Sequence, residues 1–293
     1  MSDKNILIVG AGGQVGFELS TAETPHQLIS LTRKELDITN LDDVIKSVQE
    51  HQPDVIINAA AYTAVDKAEA EKEKAFAINR DAVKNLALAC AGNSIPLLHI
   101  STDYVFNGEK SSAYKESDAI SPIGVYGQSK AEGEEGIRKS LDQHIILRTS
   151  WVFSATGNNF VKTMLNLGRE RDKLSIVADQ KGCPTSARSI AEVLLQIADQ
   201  HLSGKQIRWG TYHFSNKPAT TWYEFAQQIF EQSTALNNSP IPKLSAISTS
   251  EYPTAAKRPL NSMLDCQNLE KIYGVEIQSW RDELKLVLKQ LIN

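Results

Sequence analysis

The chain has 293 residues, enough for one large domain or two modest ones, and its 41% hydrophobic composition can bury a substantial core. Thirty-one basic residues stand against 35 acidic ones, a net charge of −4 that argues against broad nucleic-acid or polybasic membrane binding. The three cysteines, Cys90, Cys183 and Cys266, are far apart and odd in number, which excludes a disulfide framework or a paired-cysteine metal site and fits a reducing cytoplasm. No stretch approaches the roughly twenty apolar residues that span a bilayer. The first apolar run, Ile6-Leu7-Ile8-Val9, is too short for a signal segment. The histidines show no metal-ligand spacing.

Asn5 to Val9 predicts a buried strand. It runs into Gly10-Ala11-Gly12-Gly13-Gln14-Val15-Gly16 and then into a helix carrying Val15 and Leu19. Strand, glycine loop and helix in that order is the setting in which glycines hold a dinucleotide. They allow a tight turn and let backbone N–H groups approach a pyrophosphate at the helix N-terminus. The strict G-x-G-x-x-G pattern fails at Val15, whereas G-x-x-G-x-x-G through Gly10, Gly13 and Gly16 fits. An ordinary glycine-rich turn is the competing reading, and the position after the first strand favours the dinucleotide.

Gln27 to Leu31 predicts a second strand, followed by Thr32-Arg33-Lys34. NAD-selective sites close this strand with an acidic residue that holds the ribose hydroxyls. The sequence reads as having none there and two cations instead, so NADPH is expected in preference to NADH, with NADH also accepted and Arg33 on the 2′-phosphate. Leu41 to His51 has helical periodicity, with Asp42 and Asp43 in its first turn. Val55-Ile56-Ile57 is another apolar strand, ending in Asn58-Ala59-Ala60-Ala61-Tyr62-Thr63. Glu73 to Gly92 predicts one long packed helix on which Asn79 has no role readable from sequence.

Ile95 to Ile100 predicts a strand that leads into Ser101-Thr102-Asp103-Tyr104. Tyr126 and Lys130 then stand four apart at the start of a predicted helix, on one face. An ammonium beside a phenol favours the phenolate, so Lys130 is expected to lower the pKa of Tyr126 and fit it for proton transfer. A solvated Tyr and Lys is the bland reading of the same spacing. Ile145-Ile146-Leu147 predicts a fifth strand, ending in Arg148-Thr149-Ser150-Trp151. Helices are expected over Phe160 to about Arg171 and Ile190 to Ala198, with a short strand over Leu174 to Val177. From Gly210 the alternation loosens and prolines accumulate, and a last helix runs from Trp280 to Leu291.

Alternating helices and wholly apolar strands predict a Rossmann-type α/β fold: a doubly wound parallel sheet with a smaller mixed α/β C-terminal lobe. Residues 1–150, with 184–209 added, should form the dinucleotide-binding domain. Residues 151–293 should form most of a closely packed substrate lobe. Ligands of such sheets lie at the carboxyl ends of the strands. The glycine loop, Ala59 to Thr63 and Ser101 to Tyr104 should therefore converge at one edge.

With these segments in place, the chain resembles the extended short-chain dehydrogenase/reductases. It is most similar to their dTDP-4-dehydrorhamnose reductase branch. The resemblance is carried by Gly13-Gln14-Val15-Gly16, Ala61 to Glu69, Ser101 to Phe106, Arg148 to Phe153 and Gly157-Asn158-Asn159-Phe160. It extends to Thr220-Thr221-Trp222-Tyr223 and Arg258-Pro259, nearly the whole chain. It implies NAD(P)H-dependent reduction of the C4 ketone of a nucleotide sugar, dTDP-4-dehydro-L-rhamnose, in the cytoplasm. Tyr126 would donate the proton, Lys130 would hold the nicotinamide ribose and Thr102 would hydrogen-bond the reacting oxygen. Gly10, Gly13, Gln14, Val15, Asp37, Ile38, Ala61, Tyr62 and Thr63 would line the cofactor. Thr102, Asp103 and Trp151 would meet the sugar nucleotide, and Arg258 its phosphates.

Some members of this branch dimerise through a divalent metal held by glutamates. Glu18 matches one such position, but Arg188 and Gln290 occupy the others, so no metal is expected, and a monomer or homodimer is. Two alternatives remain on the same scaffold. One is a sugar-nucleotide epimerase or dehydratase that retains its cofactor. The other is a non-catalytic partner similar to the regulatory subunit of methionine adenosyltransferase.

Overall fold

The structure, a computed structural model, describes residues 4–238 and 241–292. Strand and helix alternate through β1 (Asn5–Val9), α1 (Gln14–Ser20), β2 (Gln27–Leu31), α2 (Leu41–His51) and β3 (Val55–Asn58). Two short helices, α3 (Val65–Ala68) and α4 (Lys72–Phe76), precede α5 (Ala82–Asn93) and β4 (Leu97–Thr102). Then come α6 (Val125–Ser140), β5 (His144–Thr149), β6 (Val152–Phe153) and α7 (Phe160–Glu170). The remainder holds β7 (Lys173–Val177), β8 (Lys181–Gly182), β9 (Thr185–Ser186), α8 (Ala187–Leu202) and β10 (Gly210–His213). It ends with β11 (Thr220–Thr221), α9 (Trp222–Asn237), β12 (Lys243–Ile247), α10 (Gln267–Tyr273) and α11 (Trp280–Ile292).

Six strands form one parallel sheet in the order β10-β5-β4-β3-β1-β2. Because strand side chains alternate faces, Ile6, Ile8 and Ile57 pack with Leu19 of α1 and Ile190 of α8. Leu7, Val9 and Ile56 pack on the other face with Val44 of α2 and Leu86 of α5. Each such side chain, taken fully from water, contributes about 1.5–3 kcal/mol. Burial on both faces explains why these strands read as continuous apolar runs. The strand order reverses at β1 and β3, so the ligand crevice is expected above their carboxyl ends.

Three features differ from the sequence expectation. β10 is an edge strand of the main sheet, although it comes from the region expected to belong to the smaller lobe. Ser101 and Thr102 are the last residues of β4 and not a loop beyond it. The long helix predicted over Glu73 to Gly92 is interrupted by a π turn at Ala77–Asp81. One extra residue in a helical turn rotates the rest of the helix, and Asn79 within this turn is wholly buried.

The smaller lobe gathers Phe153, Val161 of α7, Phe225 of α9 and Trp280 and Leu284 of α11 into a separate core. A capping box at Thr221 and Glu224 starts α9. Among the described residues no helix is long and apolar enough to cross a membrane.

Candidate active site

The glycine loop, the β2–α2 connection and the segment after β3 enclose a cavity of about 560 Å³ at the carboxyl edge of the sheet. Gly10, with φ +84°, makes the turn; a Cβ there would come within 2.5 Å of the Ala60 nitrogen. Close backbone approach between these two loops is thus possible only without a side chain. Gly10, Gly13, Arg33, Asp37, Ile38 and Ala61 all contribute to the cavity wall, joined by Thr32, Lys34 and Ile78.

Val15, Tyr62 and Thr63 do not line it. The Val15 side chain is turned into the core beside Leu19. Tyr62 is buried in a cluster with Ala75 and Val125, with Tyr126 packed against it, and Thr63 is exposed. Gln14 reaches toward the smaller lobe, where its Oε1 accepts from Asn159 Nδ2 at 2.9 Å.

A carboxylate does stand near the end of β2, contrary to the sequence expectation. Glu35 Oε2 accepts from the Thr32 N–H and hydroxyl, each at 2.8 Å. These bonds hold its pKa below the ordinary value, and the carboxylate is engaged with its own turn outside the cavity wall. Asp37 is likewise held low, first by its hydrogen bonds from Thr39 and less by Arg33. Arg33 and Lys34 remain exposed at the cavity rim.

At the same edge of the sheet, β4 ends in Thr102, the turn after it carries Asp103, and α6 delivers Tyr126 and Lys130. Helix α6 comes close because Gly127 has no side chain; a Cβ there would run into the Tyr104 carbonyl. Tyr126 consequently lies edge-on to Tyr104, ring centroids 5.4 Å apart. The Thr102 hydroxyl donates to Asp103 Oδ1 at 3.0 Å, while Asp103 Oδ2 is buried without a hydrogen-bond partner. Burial pushes the Asp103 carboxyl up to about 6, against weaker lowering by Ser262 and Thr102.

The expectation for Tyr126 and Lys130 is corrected here. Burial pushes the Tyr126 phenol up to about 12; Thr102 pulls it down and Asp103 pushes it further up. Lys130 does not meet the phenol, because its Nζ lies 2.7 Å from the Ile100 carbonyl and 3.1 Å from His99 Nε2. Burial lowers Lys130 to about 8, with Glu134 acting in the opposite direction. Spacing on a helix face put the two residues together, but enclosure by protein sets their proton affinities.

Two supporting networks escaped the sequence reading. Asn79 exchanges hydrogen bonds with the Tyr62 backbone, accepting at 2.8 Å and donating at 3.0 Å, and donates to the Ser129 hydroxyl at 3.0 Å. It thereby ties the segment after β3 to α6, one residue from Lys130. Below it, Glu134 receives Arg148 through Nε at 2.8 Å and Nη2 at 2.6 Å, and Ser101 Oγ at 2.5 Å. Burial pushes Glu134 up, but Arg148 and Ser101 outweigh it and hold the carboxylate ionised. A sequence signal existed for this pair: Arg148 directly follows the apolar run Ile145-Ile146-Leu147, and Glu134 is one turn beyond Lys130.

Trp151 has φ +49° and stacks on Trp222 with centroids 3.6 Å apart. A Cβ on Gly182 would lie 2.5 Å from its ring, so the indole is held flat between β8 and α9. Part of it stays exposed. Arg258 Nη2 pairs with Asp66 Oδ2 at 2.6 Å, which joins the smaller lobe to the segment after β3. Glu18, Arg188, Glu283 and Gln290 border one shallow depression. Among the described residues, no group of three or more His, Cys, Asp or Glu side chains could hold a metal ion.

The family described as the RmlD substrate binding domain matches residues 4–293. A dTDP-4-dehydrorhamnose reductase from Aggregatibacter actinomycetemcomitans is 47% identical over 286 residues, covering 96% of this chain and 97% of the relative. The enzyme of that name from Escherichia coli K12 is 39% identical over 298 residues, with 98% of each covered. A crystal structure of the Clostridium acetobutylicum dTDP-4-dehydrorhamnose reductase superposes with a TM-score of 0.91 at 38% identity, covering 99% of this chain and 100% of that one. The Bacillus anthracis reductase, solved in complex with NADP, gives 0.90 at 36% identity, with 98% and 99% covered. A UDP-glucose 4-epimerase from Brucella ovis, 13% identical with a TM-score of 0.77 over 98% and 97% of the two chains, shares the fold alone.

Proposed function

The chain belongs to the family of dTDP-4-dehydrorhamnose reductases, and from that premise we propose that it reduces the C4 ketone of dTDP-4-dehydro-L-rhamnose to dTDP-L-rhamnose with NADPH. The observation that carries this reading is the convergence at one sheet edge. A glycine-walled cavity with a cationic rim lies beyond the carboxyl ends of β1 and β3, and the next strand, β4, ends in Thr102, whose hydroxyl bears on Tyr126.

The cavity fits a dinucleotide. The Gly10 turn brings backbone close enough to cradle a pyrophosphate, and Arg33 offers a planar fork to a 2′-phosphate. When bound, the nicotinamide supplies the hydride. The remaining work falls to the chain's own residues. Tyr126, held above the neutral range by burial, keeps its proton at pH 7 and can present it to O4. Thr102 donates its one proton to Asp103 Oδ1, so its hydroxyl would turn from that carboxylate to donate to O4 beside the phenol. Lys130 would hold the nicotinamide ribose, and Asn79 and Ser129 keep its helix in place. Asp103, with one buried oxygen unpartnered, would accept a sugar hydroxyl. Residues 1–150 with 184–213 would form the cofactor half, and most of 151–293 the substrate half.

Purified protein, NADPH and enzymatically made dTDP-4-dehydro-L-rhamnose should give stoichiometric NADPH oxidation, with dTDP-L-rhamnose identified by NMR. Sugar interconversion without net oxidation would mean an epimerase or dehydratase. No turnover, with another enzyme co-purifying, would mean a binding subunit.

A further inference from the structure

Asn58, His99 and Lys130 form a hydrogen-bond chain across β3, β4 and α6, and all three side chains are buried. Its direction is fixed from one end. The Ala60 N–H donates to Asn58 Oδ1 at 3.0 Å, so the atom that Asn58 turns to His99 is its amide nitrogen. That nitrogen lies 3.0 Å from His99 Nδ1. An amide NH2 can only donate, so Nδ1 is the acceptor. A neutral imidazole has one donor and one acceptor, which puts its proton on Nε2. His99 stays neutral, because burial, the largest cause, holds its pKa well below the ordinary value even without a charge on Lys130.

The Nε2–H therefore points at Lys130 Nζ, 3.1 Å away. An ammonium has three donors and no lone pair, and it would oppose that N–H. A neutral amine has the lone pair required and can still donate to the Ile100 carbonyl at 2.7 Å. We propose that His99, polarised by Asn58, is a positioning residue for Lys130: it holds the lysine as a neutral amine against the sheet and releases it toward Tyr126 when the amine takes up a proton.

The surroundings agree with this assignment. Glu134 on α6 favours the ammonium, but its oxygens are already occupied by Arg148 of β5, Arg138 and Ser101. Tyr126, one turn back on α6, keeps its own proton, and Asp103 beyond β4 bears on Tyr126. Burial, working against Glu134, brings Lys130 to about 8, and the opposing Nε2–H dipole pushes it lower still, toward the neutral amine. The release half of the proposal rests on the reading of Lys130 as the ribose-holding residue.

The test uses the full chain without nucleotide, labelled with 15N in histidine and lysine. Multiple-bond 1H–15N spectra should show His99 as the Nε2–H tautomer and Lys130 titrating below about pH 7, so that the neutral amine predominates at neutral pH. Asn58→Asp is nearly isosteric and reverses the chain. Its carboxylate accepts from both Ala60 N–H and Nδ1–H, which leaves Nε2 as an acceptor for an ammonium. The tautomer should switch, and the Lys130 titration and the basic limb of kcat/KM for NADPH should both rise by about one pH unit or more. His99→Gln preserves the order, accepting from Asn58 and donating to Lys130, and should keep the wild-type titration. A wild-type Nδ1–H tautomer, or a Lys130 titration unmoved by Asn58→Asp, overturns the proposal. If tautomer and titration both behave as expected but the NADPH limb stays fixed, the hydrogen-bond direction stands and the ribose reading of Lys130 falls.

Discussion

Asp103→Asn should make the protein more stable, and more so as pH rises. Asp103 is 3% exposed, and its Oδ2 has no hydrogen-bond partner. Burial therefore raises its pKa from 3.8 to about 6. A shift of that size corresponds to about 3 kcal/mol between the two protonation states. Proton counting gives the sign. Between about pH 4 and pH 6 the native state keeps the proton that the unfolded chain has lost, so native stability falls as pH rises through this window. Above the window the whole penalty is present; below it there is none.

An amide in the same place carries no charge to bury, and its oxygen can still accept from Thr102. Urea unfolding of the two proteins should show a gap in favour of Asp103→Asn that widens by about 1–1.5 kcal/mol between about pH 5 and about pH 8. Comparing the two proteins cancels the buried histidines, such as His213, which burial lowers to about 4 and which titrate alike in both. The same substitution should lower kcat/KM for the sugar nucleotide, because a destabilising carboxylate retained in a cleft is characteristic of function. A gap that stays constant with pH would refute the reasoning, whatever its size.

Tyr126→Phe removes only the transferable proton, so turnover should fall by about two to four orders of magnitude with the thermal melt nearly unchanged. A variant that keeps half the wild-type rate would end the assignment of Tyr126. Arg33→Ala should raise KM for NADPH by about tenfold to a hundredfold, the worth of a charge-assisted bond, and leave that for NADH nearly unchanged. Equal effects on both cofactors would show that Arg33 does not read the phosphate. Trp151→Ala breaks the stack on Trp222 and should cost about 3 kcal/mol of stability. Trp151→Phe should recover most of it, and a normal melting temperature with only a raised sugar-nucleotide KM would show that the ring serves substrate alone.

The sheet was legible because periodicity and composition point the same way. Strands such as Ile6 to Val9 and Ile145 to Leu147 are apolar on both faces, and the sheet is covered on both faces. The glycine loop was legible because only a close backbone approach explains Gly10 where it stands. What could not be read were facts of direction. Spacing shows that Val15 and Tyr62 are near the cofactor loop but not that their side chains turn into the core. Charge type shows Glu35 two residues after Arg33 but not that its carboxylate folds back on Thr32. The π turn that buries Asn79 leaves no periodic trace, because one extra residue in a helix barely disturbs the apolar pattern.

The largest difference between sequence and structure is electrostatic, and it bears on how the site works. Tyr-x-x-x-Lys suggests a phenol made acidic by a nearby ammonium. Instead, burial favours the neutral form of Tyr126, Asp103, Lys130 and His99 alike. The full charges beneath them, Glu134 and Arg148, neutralise each other at 2.6 Å. A ketone oxygen that takes on negative charge during reduction would do so beside the Asp103 carboxylate, which is ionised above about pH 6, so it would depend on the hydrogen bonds aimed at it. Hydrogen bonds aimed at such a charge gain strength in low dielectric without any rearrangement of solvent. A phenol with a high pKa is the weaker acid, but it is fully protonated when the substrate arrives. Its proton transfer would then be driven by the basicity of the forming alkoxide, so the residues that fix the O4 geometry, Thr102 above all, should matter as much as the pKa of the donor.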